Sequence, residues 1–308
     1  RLEIRNLELV NCKKEAECAN LLEKSNIHEL TFAWCEDQID TNRAIGVLEG
    51  LKPHPNLKGL ILKNFMGNQL ASWISDLRNL VKLEVRNCRR CKEIPALGHL
   101  PFLQYLELAG LDNITCIGPS FYGFDNSDAS SSNHSSGQAV TRLFPALKYL
   151  ILNDIENLKH WMELSVEIIP TDRVVVFPIL EVLNIHRCPQ LTTVPTQFPS
   201  LKDLAISYIN HGLPVVTKIC SKVITLTHLL LHGVQGLTCL PDWLLLNNAN
   251  LTKLTLCDCL DLKHLVSDSQ DCSIDHQTHN LNGIGSLETL YIFRCSQLKS
   301  VQIPSRLL

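Results

Sequence analysis

The apolar residues of this chain recur in one register. The string apolar-x-x-apolar-x-apolar-x-x-apolar reads Ile27, Leu30, Phe32, Cys35 and then Leu57, Leu60, Leu62, Phe65. It returns at Leu80, Leu83, Val85, Cys88, at Leu103, Leu106, Leu108, Leu111, and at Leu147, Leu150, Leu152, Ile155. Further copies are Leu180, Leu183, Ile185, Cys188; Leu201, Leu204, Ile206, Ile209; and Leu226, Leu229, Leu231, Val234. Leu251, Leu254, Leu256, Cys259 and Leu287, Leu290, Ile292, Cys295 complete ten copies, and Leu2, Ile4 and Leu7 fit the end of an earlier one. Self-similarity at such a period is the signature of a solenoid.

Within each copy the apolar-x-apolar step predicts a short strand whose alternate side chains point inward and stack on the next coil. The fold class is therefore α/β: a leucine-rich repeat solenoid, curved as a horseshoe. A parallel sheet lines its concave face, and irregular loops and short helices form the convex face. One domain is expected over 1–308. Several copies close with an apolar residue and proline, at Ile94-Pro95, Val194-Pro195, Leu240-Pro241 and Ile303-Pro304, as suits an irregular convex side. Two convex helices are predicted. One runs over about Lys13–Lys24, with Ala16, Ala19 and Leu22 on one face. The other runs over about Asn42–Leu51, with Asp40 and Thr41 as cap candidates and Pro53 beyond its end.

Copy spacing locates the insertions. Intervals of 21 to 25 residues dominate the middle, but Leu103 to Leu147 spans 44, Leu147 to Leu180 spans 33 and Leu251 to Leu287 spans 36. The longest insertion, about 124–141, carries a Ser/Asn-rich run from Asn126 to Gly137 with no large apolar residue. It buries too little surface to offset ordering and is expected to be mobile.

Composition supports the repeat. Of 308 residues 54 are leucine and only 6% are aromatic, so the core is built from one residue type. The net charge of −3 gives no whole-molecule case for nucleic acid or an anionic membrane. No run of about 18 uncharged apolar residues exists, so no membrane insertion is expected. The chain starts at Arg1 without a leader pattern and is expected to be a segment of a larger protein, with its first coil the weakest. Three sequons, at Asn113, Asn133 and Asn250, are what chance supplies among 22 asparagines.

Candidate chemistry is sparse. Cys88-Arg-Arg-Cys91 and Cys257-Asp-Cys259 resemble metal or redox spacings. Yet Cys35, Cys88, Cys188, Cys259 and Cys295 share one repeat position where other copies carry aliphatic residues or Phe. They are expected to be small core residues. The 13 cysteines, an odd number, fit reduced thiols in a cytoplasmic or nuclear compartment. Cys272, His276 and His279 form C-x3-H-x2-H with Asp268, Asp271 and Asp275 nearby, but no second cysteine pair completes a metal spacing. No phosphate loop, nucleophile elbow or H-E-x-x-H is present. No catalytic residue, metal or cofactor is assigned.

Charge and aromatics suggest contact surfaces instead. Arg78, Lys82, Arg86, Arg89, Arg90 and Lys92 face Glu84 alone between positions 78 and 92, and Lys63 sits one coil earlier. Lys82, Glu84 and Arg86 are expected to project from the concave face. Other outward strand residues include Trp34, Tyr105, Tyr149, His186, Arg187, Tyr208, His228, His232, Tyr291, Phe293 and Arg294. Such aromatic and arginine side chains are typical binding anchors.

The sequence resembles one family in particular. Val47-Leu-Glu-Gly-Leu-Lys-Pro-His-Pro-Asn-Leu-Lys-Gly-Leu60 and LVKLEVRNCRRCKEIPALGHLPFLQYLELAGLDNITCIGPSFYG (Leu80–Gly123) are similar to plant intracellular coiled-coil, nucleotide-binding, leucine-rich repeat resistance proteins. So are Leu143-Phe-Pro-Ala-Leu-Lys-Tyr-Leu150 and Leu158-Lys-His-Trp161. One departure is Ala71-Ser72-Trp73, where the family usually has Pro first; it bears on a local turn. The resemblance implies a non-catalytic sensor domain. It would bind a pathogen or pest effector, or a modified host protein, and restrain the nucleotide-binding domain of the same receptor at rest. ADP and ATP would bind that absent domain only. Intramolecular docking candidates are Lys63, Arg86, Arg89 and Arg90; effector-binding candidates are Tyr208, His232, Tyr291, Phe293 and Arg294. A ubiquitin ligase's substrate-recognition domain would use the same scaffold but would carry an F-box, which is absent here. An extracellular receptor would show an L-x-x-N-x-L-x-G-x-I-P consensus, also absent.

Overall fold

The repeat closes into one right-through parallel sheet of eleven strands. The structure, a computed structural model, describes residues 1–35, 40–124, 140–164, 174–266, 286–299 and 301. Every neighbouring strand pair in the sheet is parallel and follows chain order. The first strand, Leu2–Ile4, pairs with Glu29–Ala33, and the last, Thr289–Phe293, pairs with Lys253–Cys257. The register holds one leucine per coil in line, from Leu30 through Leu60, Leu83 and Leu106 to Leu254 and Leu290. A one-residue slip would turn each strand's apolar pair onto the concave face, so this ladder fixes the register.

A left-handed residue ends nearly every strand. Asn64, Asn87, Gly110, Asp154, Gly233 and Asp258 all have φ between 49° and 63° immediately after their strands. Asn, Asp and Gly tolerate that region best. Arg187, Tyr208 and Arg294 occupy it too, at φ 51°, 54° and 53°. The turn sends the next residue, the shared Cys/aliphatic position, back into the core. Cys88, Cys188 and Cys259 are fully buried there, and Cys295 is half-buried against the core.

Cys35 departs from the expectation. Its coil lacks the left-handed turn, so Trp34 swings inward to 2% exposure and meets the Phe65 ring edge-on at 5.0 Å. Cys35 is left exposed, its N–H donating to Glu8 Oε2 at 2.9 Å. Trp34 is thus a core residue and not one of the outward set.

The predicted helix over Lys13–Lys24 is shorter than expected. It spans Lys13–Glu17, and Asn20 at φ 46° breaks the path before a 3-10 turn at Leu21–Glu23. The second helix runs Thr41–Gly50, capped by Asp40, whose carboxylate accepts from Asn42 N–H. Gly50 is required by the close approach of the first helix: a Cβ there would lie 2.5 Å from the Lys13 carbonyl oxygen. Helices at Pro119–Tyr122, Gly212–Cys220 and Asp242–Asn247 carried no periodic signal strong enough to anticipate. Ala71 has φ −64°, a value proline would also hold, and the 3-10 turn Ser72–Asp76 follows it with Trp73 buried.

The two longest intervals in the middle of the chain stay sealed by aromatic packing. Phe144, Phe177 and Phe198 each precede a proline and are buried. Phe177 stacks on Phe144 at 5.0 Å and on Phe198 at 5.9 Å. Trp161 Nε1 donates to the Tyr122 hydroxyl at 3.0 Å, which donates to the Met162 carbonyl at 2.9 Å, so both polar groups are satisfied inside. The Ser-rich insertion and Ile303-Pro304 lie outside the described residues. Ile94, Val194 and Leu240, before the other convex prolines, are buried.

Candidate functional site

In each five-residue strand the second and fourth residues enter the core, and the first, third and fifth face the concave side. On the N-terminal half that surface is a charge network. Lys82 Nζ lies 2.6 Å from Glu84 Oε1, and Arg86 Nη2 lies 3.1 Å from Glu84 Oε2 and 2.9 Å from Glu107 Oε2. The Tyr105 hydroxyl donates to Glu107 Oε2 at 2.8 Å, and the Lys82 ammonium sits 5.0 Å from the Tyr105 ring centre. Burial pulls the Arg86 guanidinium down, but the Glu107 hydrogen bond and both carboxylates more than reverse that and hold it above its ordinary value. Burial, then Glu107, raises the Tyr105 phenol.

This corrects two sequence expectations. Glu84 lies on the concave side but does not project; it is 4% exposed, covered by Lys82 and Arg86. Nor is Glu84 the sole acid facing the basic run. The next coil brings Glu107 to Arg86 and Asp112 to Arg89, at 2.9 and 3.7 Å, because stacking joins residues 21 or more positions apart. Lys63 Nζ reaches Glu3 at 4.0 Å, and Arg90 donates to Thr41 Oγ1 at 3.1 Å. The four docking candidates therefore do not converge on one unpaired patch.

The C-terminal half has a different character. Ala205, Leu230 and Thr255 stand in one row across three coils and floor an open cavity of about 310 Å³, with Asp203, His228 and Lys253 along one side. His228 Nδ1 pairs with Asp203 Oδ1. Tyr291 and Phe293, on the last strand, are 51% and 46% exposed, their rings stacked at 6.2 Å, and Arg294 lies 5.4 Å from the Phe293 ring.

Tyr208 stands on the rim where the strands end. Its ring meets His186 edge-on at 5.4 Å and His232 at 4.6 Å, and its hydroxyl is 3.0 Å from His232 Nε2. His232 Nε2 is also 3.0 Å from Asp258 Oδ2. His232 Nε2 therefore lies within hydrogen-bonding distance of both the Tyr208 hydroxyl and the Asp258 carboxylate. Gly233, at φ 58°, makes room: a Cβ there would lie 2.8 Å from Tyr208 Cδ1. Tyr208 and His232 thus form one cluster, while Tyr291, Phe293 and Arg294 form another on the last coil.

Residues 1–111 match the family model described as R13L1/DRL21 LRRs. The chain is similar to the disease resistance protein RGA2 of Solanum bulbocastanum, 31% identical over 269 residues, 86% of this chain and 23% of that protein. It is also similar to a putative disease resistance RPP13-like protein 1 of Arabidopsis thaliana, 32% identical over 219 residues, 67% of this chain and 19% of that protein. The putative disease resistance protein RGA1 of Solanum bulbocastanum is 30% identical over 269 residues, 86% and 24% respectively. The repeats of this chain are leucine-rich repeats similar to those of plant disease resistance proteins. It spans at most a quarter of the length of these relatives.

Among the described residues no group of three or more His, Cys, Asp or Glu side chains is placed to hold a metal. Cys272, His276 and His279 lie outside the described residues. Among the described residues no helix is long and apolar enough to cross a membrane. Sequence reasoning missed Glu107 and Asp203 as partners of Arg86 and His228. Aligning the copies by strand position was the signal that would have found both, since each pair is one coil apart.

Proposed function

We propose that this repeat domain is the non-catalytic sensor of a plant immune receptor. Its C-terminal concave half binds a protein effector or a modified host protein, and its N-terminal coils contact the nucleotide-binding domain of the same chain, restraining it at rest. The reading is of a cytoplasmic or nuclear receptor. The observation that carries it is the division of the concave surface. In the N-terminal half Arg86 bridges Glu84 and Glu107, and Lys82 pairs with Glu84. The C-terminal half leaves Tyr291 and Phe293 about half exposed beside Arg294. Stacked aromatics with an arginine supply contact area at little entropic cost, as binding anchors do. The relatives' disease resistance names support the immune setting.

Two experiments separate the two roles. Tyr291→Ala with Phe293→Ala in the full receptor should weaken the response to its effector at unchanged protein level; an unchanged response refutes the sensor assignment. For restraint, Arg89 is the informative position, because its side chain is two-thirds exposed and its Asp112 contact is long. Arg89→Glu should give effector-independent signalling. A silent, normally accumulating receptor refutes docking through that coil. Arg86→Glu is a poor probe, since it would place a third carboxylate between Glu84 and Glu107.

A further inference from the structure

The buried turn position holds cysteine in several coils, but its neighbours differ. Phe65 and Leu111 flank Cys88, and Ile155 and Ile209 flank Cys188 in the adjoining coils. Cys259 and Cys295 differ: among the described coils they are the cysteines that occupy this position in adjacent ones. Two residues before them, Cys257 and Phe293 are paired in register. Cys259 Sγ donates to the Leu231 carbonyl one coil back, and Cys295 Sγ donates to the Leu256 carbonyl in the coil of Cys259. Each thiol also donates to the carbonyl two residues back in its own coil, Cys259 to Cys257 at 3.5 Å and Cys295 to Phe293 at 3.6 Å, so the two thiols occupy equivalent places in successive coils. Parallel strands stack about 4.8 Å apart, within the Cα separation of roughly 4.4–6.8 Å that a disulfide spans. Cys259 is fully buried, whereas Cys295 is half-buried.

We propose that Cys259 and Cys295 form an oxidation site, at which hydrogen peroxide converts the two thiols into a disulfide that ties the strand Thr289–Phe293 to its neighbour. The Cys295 thiolate, on the solvent side, attacks one peroxide oxygen. The O–O bond breaks, a sulfenic acid forms and the departing hydroxide takes a proton to become water. The Cys259 sulfur then attacks the Cys295 sulfur. The S–O bond breaks, and the second hydroxide leaves as water with the Cys259 proton. Two thiols lose two hydrogens and two electrons in total, and one peroxide becomes two waters. Burial pushes the Cys259 thiol up to about 11, which disfavours it for the first attack on peroxide. The link would fix the strand that presents Tyr291 and Phe293. That consequence for recognition rests on the function proposed above; the link itself does not.

The test uses the full folded chain, treated with hydrogen peroxide, alkylated and digested with trypsin without reduction. Cleavage after Lys253, Lys263, Arg294 and Lys299 gives one peptide with Cys257 and Cys259 and another with Cys295 alone. The expected product is these two peptides joined, lighter than their sum by two hydrogens and separated by reductant. The link should persist in Cys257→Ser and vanish in Cys259→Ala and in Cys295→Ser, whose half-exposed site tolerates the change. The proposal is overturned if native protein oxidises only at its exposed cysteines, such as Cys12 and Cys18, if Cys257→Ser removes the link, or if the link forms in urea alone. An effector response that ignores oxidation while the link forms would refute the recognition role and leave the site standing.

Discussion

Arg86 Nη2 lies 2.9 Å from Glu107 Oε2 and 3.1 Å from Glu84 Oε2, so one guanidinium joins two carboxylates from neighbouring coils. Glu84 and Glu107 are both nearly buried. Removing the arginine leaves two carboxylates side by side in a poorly solvated place, with Lys82 on one of them.

Arg86→Ala should therefore destabilise the domain. Breaking a buried pair costs about 3–5 kcal/mol, but Arg86 is 42% exposed, and solvent screening lowers the expectation to about 1–2 kcal/mol. Urea denaturation measures it. Arg89→Ala, one turn away and more exposed, should stay within about 0.5 kcal/mol.

Gly233→Ala tests the rim. The new methyl meets both a left-handed backbone and the Tyr208 ring, so a loss of about 1–2 kcal/mol is expected. Part of the loss is steric, so Tyr208→Ala should relieve it. A double-mutant cycle showing no coupling would contradict the packing described for these two residues.

Asn248 is a buried polar side chain that joins two coils. Its Oδ1 accepts from Leu226 N–H at 3.0 Å and its Nδ2 donates to the Leu244 carbonyl at 2.8 Å. Asn248→Ala orphans both backbone groups and should cost about 2–4 kcal/mol by thermal or urea unfolding. Asn250→Ala, two residues on and exposed, is the control.

Burial lowers the pKa of His186 in the fold, with Asp154 opposing and Arg187 and His232 assisting. The unfolded chain then binds the proton more readily than the folded one. Stability contributed by neutral His186 is present above the unfolded value near 6.5 and is lost as pH falls through the lower folded value. His186→Gln should flatten that part of the pH profile. An unchanged profile between pH 7 and 5 would contradict the assignment.

The repeat was legible because four apolar positions return in phase, and every strand of the sheet lies on one of those copies. What the sequence hid was the turn that follows the strand. Cys35 and Cys88 occupy the same position by count, yet only the coil of Cys88 makes its left-handed turn, at Asn87. Trp34 instead turns into the core, where its ring meets Phe65 edge-on. Helix Lys13–Glu17 fell short for a related reason, because Asn20 adopts a left-handed backbone that a helix cannot include. The charged run was visible as a run, but its neutralisation was not. Glu107 and Asp112 reach it across coils, and a linear window sees only one coil at a time.

Recognition is proposed to use the C-terminal concave half. The most direct measurement compares full receptors carrying Phe293→Ala, Tyr291→Ala or, as a control on an exposed apolar residue outside the strands, Ile224→Ala. Effector-triggered response is read at matched protein level. The two strand substitutions should weaken the response by about tenfold or more, the size of a hot-spot loss, while Ile224→Ala leaves it intact. A full response from both strand variants, or its loss only in Ile224→Ala, would contradict that proposal.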